Sequence, residues 1–392
     1  MPADTSIDVR AAHLQHRSGR TEQMGTRAMF LVAGLAMAAW APLVPFAKAP
    51  AEIGEGSFGL VLLCLGLGSI AAMPVTGLLA NRFGCRAVLV ASTLVVAIVL
   101  PMLALADGVL PLALSLALFG AAIGTLDVAV NIQAVMVEKD SGRTMMSGFH
   151  GLFSLGGILG AGGVSLLMQT GLAPVHATLV VSAASLLLLV AARPGLLPYG
   201  NREAGAVPFA VLPRGVVAVI GILCFVVFLA EGAILDWSAL FLIEAHGLDT
   251  AAAGFGYAAF AIAMTIGRLT GDAIVRTLGG TRVLIIGSLV SVSGFVLTVA
   301  APTQATALAG FLLVGFGASN IVPVLFTAAA AQTRMRPSHA IAAVTTIGYA
   351  GILMGPALIG GIAEVASLGT AFLAIALSMS LPGLVGPRTL RS

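Results

Sequence analysis

The sequence predicts an all-α polytopic membrane protein with twelve transmembrane helices in two pseudo-symmetric six-helix halves. Three observations lead to this fold class: an apolar composition, twelve long apolar runs and an internal repeat. Of the 392 residues, 59% are hydrophobic and 9% are charged, whereas soluble domains carry about 25% charged residues. The mean hydropathy is +1.07, which also favours a membrane protein.

Each apolar run is long enough to cross a bilayer as a helix, which takes roughly 20 residues. The runs do not alternate in polarity as the strands of a membrane barrel do. Short polar or Gly/Pro-marked breaks separate them. The predicted spans are 28–47, 57–80, 87–106, 109–137, 146–170, 176–193, 215–243, 251–276, 283–301, 307–331, 339–365 and 370–387.

The basic residues predict the orientation of these spans. With the N-terminus in the cytoplasm, all Lys and Arg residues fall in cytoplasmic loops and tails except Lys48, on the other side, and Arg268, within a span. This asymmetry is the positive-inside pattern. We therefore expect a multi-pass protein of the cell inner membrane with both termini cytoplasmic, in contact with membrane lipids. The net charge of +3 gives no indication of a nucleic-acid partner.

The second half of the chain repeats the first in the same direction. Trp40 and Gly59 recur as Trp237 and Gly256, each 197 positions later, and Gly148 recurs as Gly348. Six spans per half place both halves in the membrane with the same orientation, as in transporters built from parallel repeats. The predicted divisions are a cytoplasmic tail at 1–26, six-helix halves at 27–193 and 214–388, a cytoplasmic connector at 194–213 and a tail at 389–392.

The loop between the second and third predicted spans reads GLLANRFGCR, residues 77–86. It resembles the cytoplasmic loop motif of the major facilitator superfamily, although Asn81 stands where that family usually has Asp. The resemblance extends over roughly residues 27–388. Within the superfamily, the chain looks closest to the fucose-permease-like branch and to bacterial members of unassigned substrate. It implies alternating access to a small-molecule site between the two halves. The matching loop of the second half, at 267–282, retains Asp272 and Arg282.

These loops supply a candidate cytoplasmic gate. Basic side chains at a helix end can pair with acids or with the C-terminal carbonyls of a neighbouring helix. Such contacts would hold one conformation and break in the other. The alternative is that the charges only set topology. The candidate gate residues are Arg82, Arg86, Asp272, Arg276 and Arg282.

The fourth predicted span contains an acid near its middle. Gly120, Gly124, Asp127 and Asn131 lie on one helical stripe, which suits the wall of a substrate cavity. Ionisable groups inside a membrane are functional-site candidates by default. The alternative for Asp127 is a hydrogen bond to a neighbouring helix.

The seventh predicted span contains two acids and a tryptophan, Glu231, Asp236 and Trp237. Five residues turn a helix by about 140°, so the two acids point in different directions. By depth, Glu231 is expected in the cavity and Asp236 against a neighbouring helix or the outer mouth. Trp237 and its repeat mate Trp40 are candidates for stacking on a substrate ring. The alternative for both tryptophans is the aromatic belt at the membrane interface.

Four further polar residues have competing interpretations. Asn320 of the tenth span is predicted either to contact substrate or to bond a neighbouring helix. His150 is expected to be a helix-end histidine, with a proton relay as the alternative. Glu364 is expected to be solvated, and Arg268 to pair with Asp272 four residues later.

The sequence does not favour an enzyme. Neither lysine follows a glycine, so the chain has no phosphate-binding Gly-Lys-Ser/Thr loop. The six histidines are scattered, and Cys64, Cys85 and Cys224 form no close pair. We therefore expect no cofactor and no metal site.

The combined observations predict a secondary active transporter that moves a small solute by alternating access. Protons are the expected driving ion, because the deep ionisable groups of the central spans are mainly acids. Drug efflux by proton antiport is the alternative within transport. A non-transporting solute receptor or a lipid flippase on the same scaffold is the alternative from another class. Two pseudo-symmetric halves make a monomer sufficient.

Overall fold

The computed structural model describes residues 19–142, 145–200, 214–333 and 337–390, and helices dominate these ranges. Eleven continuous helical stretches among them are long and apolar enough to cross a membrane. One of these, Glu55–Leu105, has 51 residues, or about 77 Å of helix, far more than one bilayer core requires. It is broken at Gly84, whose φ of 83° and ψ of 156° are not helical. Two spans result, and the prediction of twelve is confirmed.

We number the spans from the N-terminus. Their bounds are Arg20–Ala38 continued by Ala41–Leu43, Val44–Lys48 and Ala49–Ala51 (span 1), 55–83 (span 2), 85–105 (span 3), Val109–Ser141 (span 4), Met146–Gln169 (span 5), Pro174–Ala192 (span 6), Val216–His246 (span 7), Phe255–Leu278 (span 8), Gly280–Ala300 (span 9), Gln304–Ala318 with Ile321–Ala331 (span 10), Pro337–Val365 (span 11) and Leu368–Ser378 with Leu381–Thr389 (span 12).

The spans differ from the predicted runs mainly at their ends. Span 1 becomes helical at Arg20 rather than 28, within the stretch predicted as a tail. Spans 1, 10 and 12 are each interrupted, the last two at Ser319–Asn320 and Met379–Ser380. Apolar runs mark the hydrocarbon core, whereas helices continue into the polar interface. Hydropathy therefore underestimates their length.

The internal repeat appears as a repeated packing pattern. Span 1 packs along span 5, and span 7 packs along span 11. Span 4 packs against the helix that contains spans 2 and 3, and span 10 packs against spans 8 and 9. Between the halves, span 2 packs against span 11 and span 5 against span 8. Span 2 corresponds to span 8 in the repeat, and span 5 corresponds to span 11, so each of these two contacts is the repeat equivalent of the other. The halves are therefore related by a pseudo-two-fold axis.

The bundle has two chemically different ends. The spans alternate in direction, so Arg20, Arg82, Arg86, Arg276 and Arg282 all lie at one end, which we call the arginine-rich end. Lys48 and Glu55 lie at the opposite end, which we call the Lys48 end. The loops that join each odd-numbered span to the next span also lie there. Lys48 forms an ion pair there with Glu55.

Candidate functional site

The two halves are in close contact toward the Lys48 end. A Cβ on Gly59 of span 2 would lie 3.2 Å from the Cα of Gly360 of span 11, so only glycine permits this approach. One turn away, the backbone N–H of Gly56 donates a hydrogen bond of 3.0 Å to Glu364. Glu364 is exposed, as expected, and it also binds the N-terminal turn of span 2, where a carboxylate is stabilised by the helix dipole.

A buried hydrogen bond joins the halves deeper in the same contact. Trp40 of span 1 donates its Nε1–H to Asp236 Oδ1 of span 7 at 3.1 Å. Trp40 is fully buried and Asp236 is 7% exposed. Trp237 is also fully buried, with Phe58 edge-on to its ring at a centroid distance of 5.8 Å. Neither tryptophan has an open face in this conformation, so both seal the contact rather than offer a stacking platform.

Glu231 lies on span 7 closer to the arginine-rich end than the Trp40–Asp236 hydrogen bond, and it contacts a different neighbour from Asp236. Arg268 of span 8 places Nη2 3.3 Å from Glu231 Oε1, in an ion pair. The side chains of Arg268 and Glu231 are 41% and 22% exposed. Arg268 therefore pairs with Glu231, whereas the sequence suggested Asp272, whose side chain lies outside the described residues.

Asp127 approaches the same region from the other half. Its Oδ1 accepts a hydrogen bond of 3.2 Å from the Nδ2 of Asn131, one turn along span 4. Asn131 Nδ2 also donates to the backbone carbonyl of Asp127, at 2.9 Å. Both Asp127 and Glu231 lie within electrostatic range of the Tyr349 hydroxyl on span 11. Tyr349 therefore lies in the same part of the bundle as both acids.

Aromatic rings complete this central region. Phe228 of span 7 lies 5.9 Å from the Tyr349 ring, centroid to centroid. Phe30 of span 1 lies edge-on to His150 at 5.1 Å. His150 is exposed and lies near the start of span 5, which packs against span 8 of the opposite half.

The central region opens toward the arginine-rich end. The contacts at Gly59, Gly360 and Trp40 seal the other end, yet the Arg268–Glu231 pair remains partly exposed. On the open side, a Cβ on Gly148 would meet no atom within 4 Å, and one on Gly151 would touch only Leu269, at 3.7 Å. We call the space around these side chains the central cavity.

The glycines of the span 4 stripe do not form the wall of this cavity as expected. A Cβ on Gly124 would lie 3.0 Å from the Cα of Ser69 on span 2, and Gly120 packs on the backbone of Leu65. Small residues here allow close packing of two helices. Of the stripe, Asp127 and Asn131 alone reach the central cavity.

Asn320 is placed within one half. Its Nδ2 donates to the carbonyl of Gly267 on span 8 at 2.9 Å and to Ser319 at 3.0 Å. It lies where span 10 is interrupted and is 8% exposed. The structure thus shows the interhelical amide contact that was one of the two predictions for Asn320.

The gate arginines have unequal environments. Arg86 donates through Nε to the carbonyl of Leu196 at 2.8 Å, and its backbone N–H binds the carbonyl of Leu197. Arg86 therefore fixes the start of the connector to its own half. Arg82 stacks on Phe83 at 5.2 Å. Arg82, Arg276 and Arg282 are exposed.

Sequence reasoning missed three side chains of the central cavity: Arg268, Tyr349 and Phe228. For Arg268 the signal was present, because it is the one basic residue within a predicted span. The two aromatic residues lack such a signal in an apolar helix. Among the described residues, no group of three or more His, Cys, Asp or Glu side chains could hold a metal ion.

Comparisons with known proteins agree with this architecture. The family model of the Major Facilitator Superfamily matches residues 28–356. An uncharacterized MFS-type transporter of Yersinia pestis is 55% identical over 92% of this chain and 93% of its own length. The uncharacterized transporter y4wD of Sinorhizobium fredii is 35% identical over 94% and 98%. Membrane protein MosC of Rhizobium meliloti is 30% identical over 88% and 84%.

Solved structures show the same fold at low sequence identity. A point mutant of the nucleoside transporter NupG aligns with a TM-score of 0.78 and 15% identity, covering 94% of this chain and 99% of its own. The human organic anion transporter MFSD10 aligns with a TM-score of 0.63 and 16% identity, covering 93% and 99%. The chain belongs to the Major Facilitator Superfamily and is a multi-pass membrane transporter, not an enzyme.

Proposed function

We propose that this protein is a proton-coupled secondary transporter that moves a small solute across the inner membrane by alternating access. One observation carries the proposal. Asp127 of one half and the partly exposed Glu231–Arg268 pair of the other half both lie in the electrostatic neighbourhood of Tyr349, and the two halves are in contact at the Lys48 end. The termini and the 194–213 connector are cytoplasmic in this proposal, so the arginine-rich end faces the cytoplasm and the structure is inward-facing.

Glu231 is the proposed coupling group. In the open cavity its carboxylate is supported by water and by Arg268. When the cavity closes and loses water, an ionised carboxylate becomes costly unless its partner compensates it fully. Protonation of Glu231 removes the charge of the carboxylate and frees the Arg268 guanidinium, which must then remain in contact with water or with another acid. Closure is thereby linked to proton binding.

Alternating access requires the Lys48-end contacts to break as the arginine-rich end closes. Trp40–Asp236 and Gly56–Glu364 each have one partner in each half, so both are lost when the halves separate there. The exposed Arg82, Arg276 and Arg282 are then available for contacts across the closing end. The halves at 27–193 and 214–388 act as the two moving bodies. A monomer suffices, since both halves belong to one chain.

The test measures solute movement in proteoliposomes under an imposed pH gradient. A thermal-shift screen with sugars, amino acids, cations and amphiphilic drugs first identifies the solute, because a ligand of the folded state raises stability. Glu231→Gln and Asp127→Asn mimic the neutral acids. We expect Glu231→Gln to abolish gradient-driven accumulation while retaining passive exchange of labelled solute, whereas Asp127→Asn reports whether that acid is needed for accumulation.

The matched control is Asp107→Asn, which neutralises an exposed acid outside the central cavity. It should accumulate solute like wild type. If Glu231→Gln and Asp127→Asn both accumulate solute as wild type does, proton coupling through these acids is wrong. Asp236 would then be the next candidate for the coupling group.

A further inference from the structure

We propose that the transported solute is a small organic cation and that the Asp127 carboxylate binds its ammonium group. This inference rests on the proposed transport function. It deepens that function because it assigns a solute class and a binding residue to the central cavity.

The first argument is the charge inventory of the central cavity. Glu231 and Arg268 compensate each other in their ion pair. Asp127 has no Lys or Arg partner among the described residues, and its hydrogen-bond donor there is the neutral amide of Asn131. With His150 neutral, one negative charge remains uncompensated among the described side chains, and it lies on span 4. A cavity with this charge attracts monocations and repels anions.

The second argument is the geometry around Asp127. Asn131 occupies Oδ1, whereas Oδ2 has no donor within the part of the chain that the structure describes. Tyr349 of the opposite half senses the charge of Asp127 at its hydroxyl, and its ring is the aromatic face that we propose for the solute. An ammonium group is well held between a carboxylate and an aromatic face, through a charge-assisted hydrogen bond and a cation–π contact. Phe228 beside Tyr349 adds apolar surface for the rest of the solute.

An anionic solute is the competing possibility, with Arg268 as its binding group. It would have to displace Glu231 from Arg268, or wait until Glu231 is protonated. It would also enter a cavity in which Asp127 repels it. The arrangement therefore favours the cation.

The first experiment measures the charge preference of the cavity without knowledge of the solute. Asn131→Cys in a Cys64→Ser background introduces a thiol one helical turn from Asp127, and Cys85 and Cys224 are buried. The thiol is modified at low salt with a cationic and an anionic methanethiosulfonate reagent of similar size. At about 6 Å from Asp127, the negative charge should raise the cation-to-anion rate ratio by at least about tenfold. The added substitution Asp127→Asn should remove this preference. Equal rates before that substitution would overturn the proposal.

The second experiment tests recognition with glucosamine, glucose and gluconate, which are similar in size and differ in charge, and with ethanolamine as a compact ammonium. We expect the cations alone to raise the thermal stability of the purified protein, and Asp127→Asn to abolish that increase. The control Asp107→Asn should retain it. Stabilisation by gluconate that Arg268→Gln abolishes would overturn the proposal in favour of an anion.

The two proposals fail in different ways. Gradient-driven transport of a neutral or anionic solute would refute the solute class and leave proton coupling intact. Cation binding at Asp127 without any response of transport to a pH gradient would refute proton coupling and leave the solute class intact.

Discussion

The hydrogen bond between Trp40 and Asp236 should decide how long the Lys48 end stays closed. The change is Trp40→Phe, which retains an aromatic ring and removes the Nε1–H donor. Asp236 is 7% exposed and would lose its hydrogen-bond donor in the closed state alone. When the halves separate at this end, both side chains meet water, so the substitution leaves the open state almost unaffected.

The magnitude follows from what the closed state loses. A buried acceptor left without its donor costs about 1–3 kcal/mol. Measured interhelical hydrogen bonds in membrane proteins reach at most about 1.7 kcal/mol. A loss of about 1.4 kcal/mol shifts the equilibrium about tenfold toward the state open at the Lys48 end.

The assay is a spin-label distance measurement between Cys substitutions at Asp107 and Glu244, which are exposed and belong to opposite halves at the Lys48 end. The population at longer distance should rise about tenfold in Trp40→Phe. The matched control is Trp237→Phe, at the repeat mate of Trp40. Trp237 Nε1 is buried and has no hydrogen-bond partner among the described residues, so removing it breaks no bond. An equal shift in both variants, or none in Trp40→Phe, would refute the proposed role of this bond.

Three further predictions concern the arginine-rich end. Alanine substitutions at Arg82, Arg276 and Arg282 should increase thiol labelling of the central cavity, because in our proposal these residues form contacts across the arginine-rich end when it closes; unchanged labelling at normal expression would leave them a role in topology alone. Reporters fused at positions 20, 205 and 390 should all report the cytoplasm, and a single report from the other side would contradict the orientation. Gln133→Leu should lower unfolding stability by about 1–2 kcal/mol, because Gln133 donates to Thr26 and accepts from the Leu197 N–H at 3.0 Å each; an unchanged thermal unfolding midpoint would contradict that role.

The number and type of the spans could be predicted because each depends on composition over about 20 residues. A bilayer core requires continuous apolar helices. The alternation of basic and non-basic loops predicts the orientation of each helix in the membrane. Interruptions of the helix within a span could not be predicted from the apolar composition of that span. The interruption at Ser319–Asn320 lies in a run that remains apolar on both sides. Gly84 was predictable as a motif residue, but its positive φ and its place in the middle of a 51-residue helix were not.

The side-chain partners could be predicted only where they follow from helix geometry. The depth and angular separation of Glu231 and Asp236 come from one span, so periodicity sufficed to give them different surroundings. The partners themselves, Arg268 and Trp40, are 37 and 196 positions away, and their proximity depends on how spans pack. The same limit explains the Gly120 and Gly124 stripe. Periodicity showed that these glycines share a face, but not that span 2 covers it.

The two acids of span 7 have different relations to the moving halves, and this difference explains why one apolar run contains both. Asp236 bonds to span 1 of the opposite half, so its environment changes when the Lys48 end opens. Glu231 bonds to span 8 of its own half, so its partner moves with it while the water around the pair changes. In our proposal, Asp236 responds to the separation of the halves and Glu231 to hydration of the cavity. Because span 7 holds both on one rigid helix, the contact at the Lys48 end and the protonation site are mechanically linked. Loss of the Trp40 hydrogen bond should therefore alter the rate of conformational exchange, whereas loss of the Glu231 charge should alter its coupling to protons.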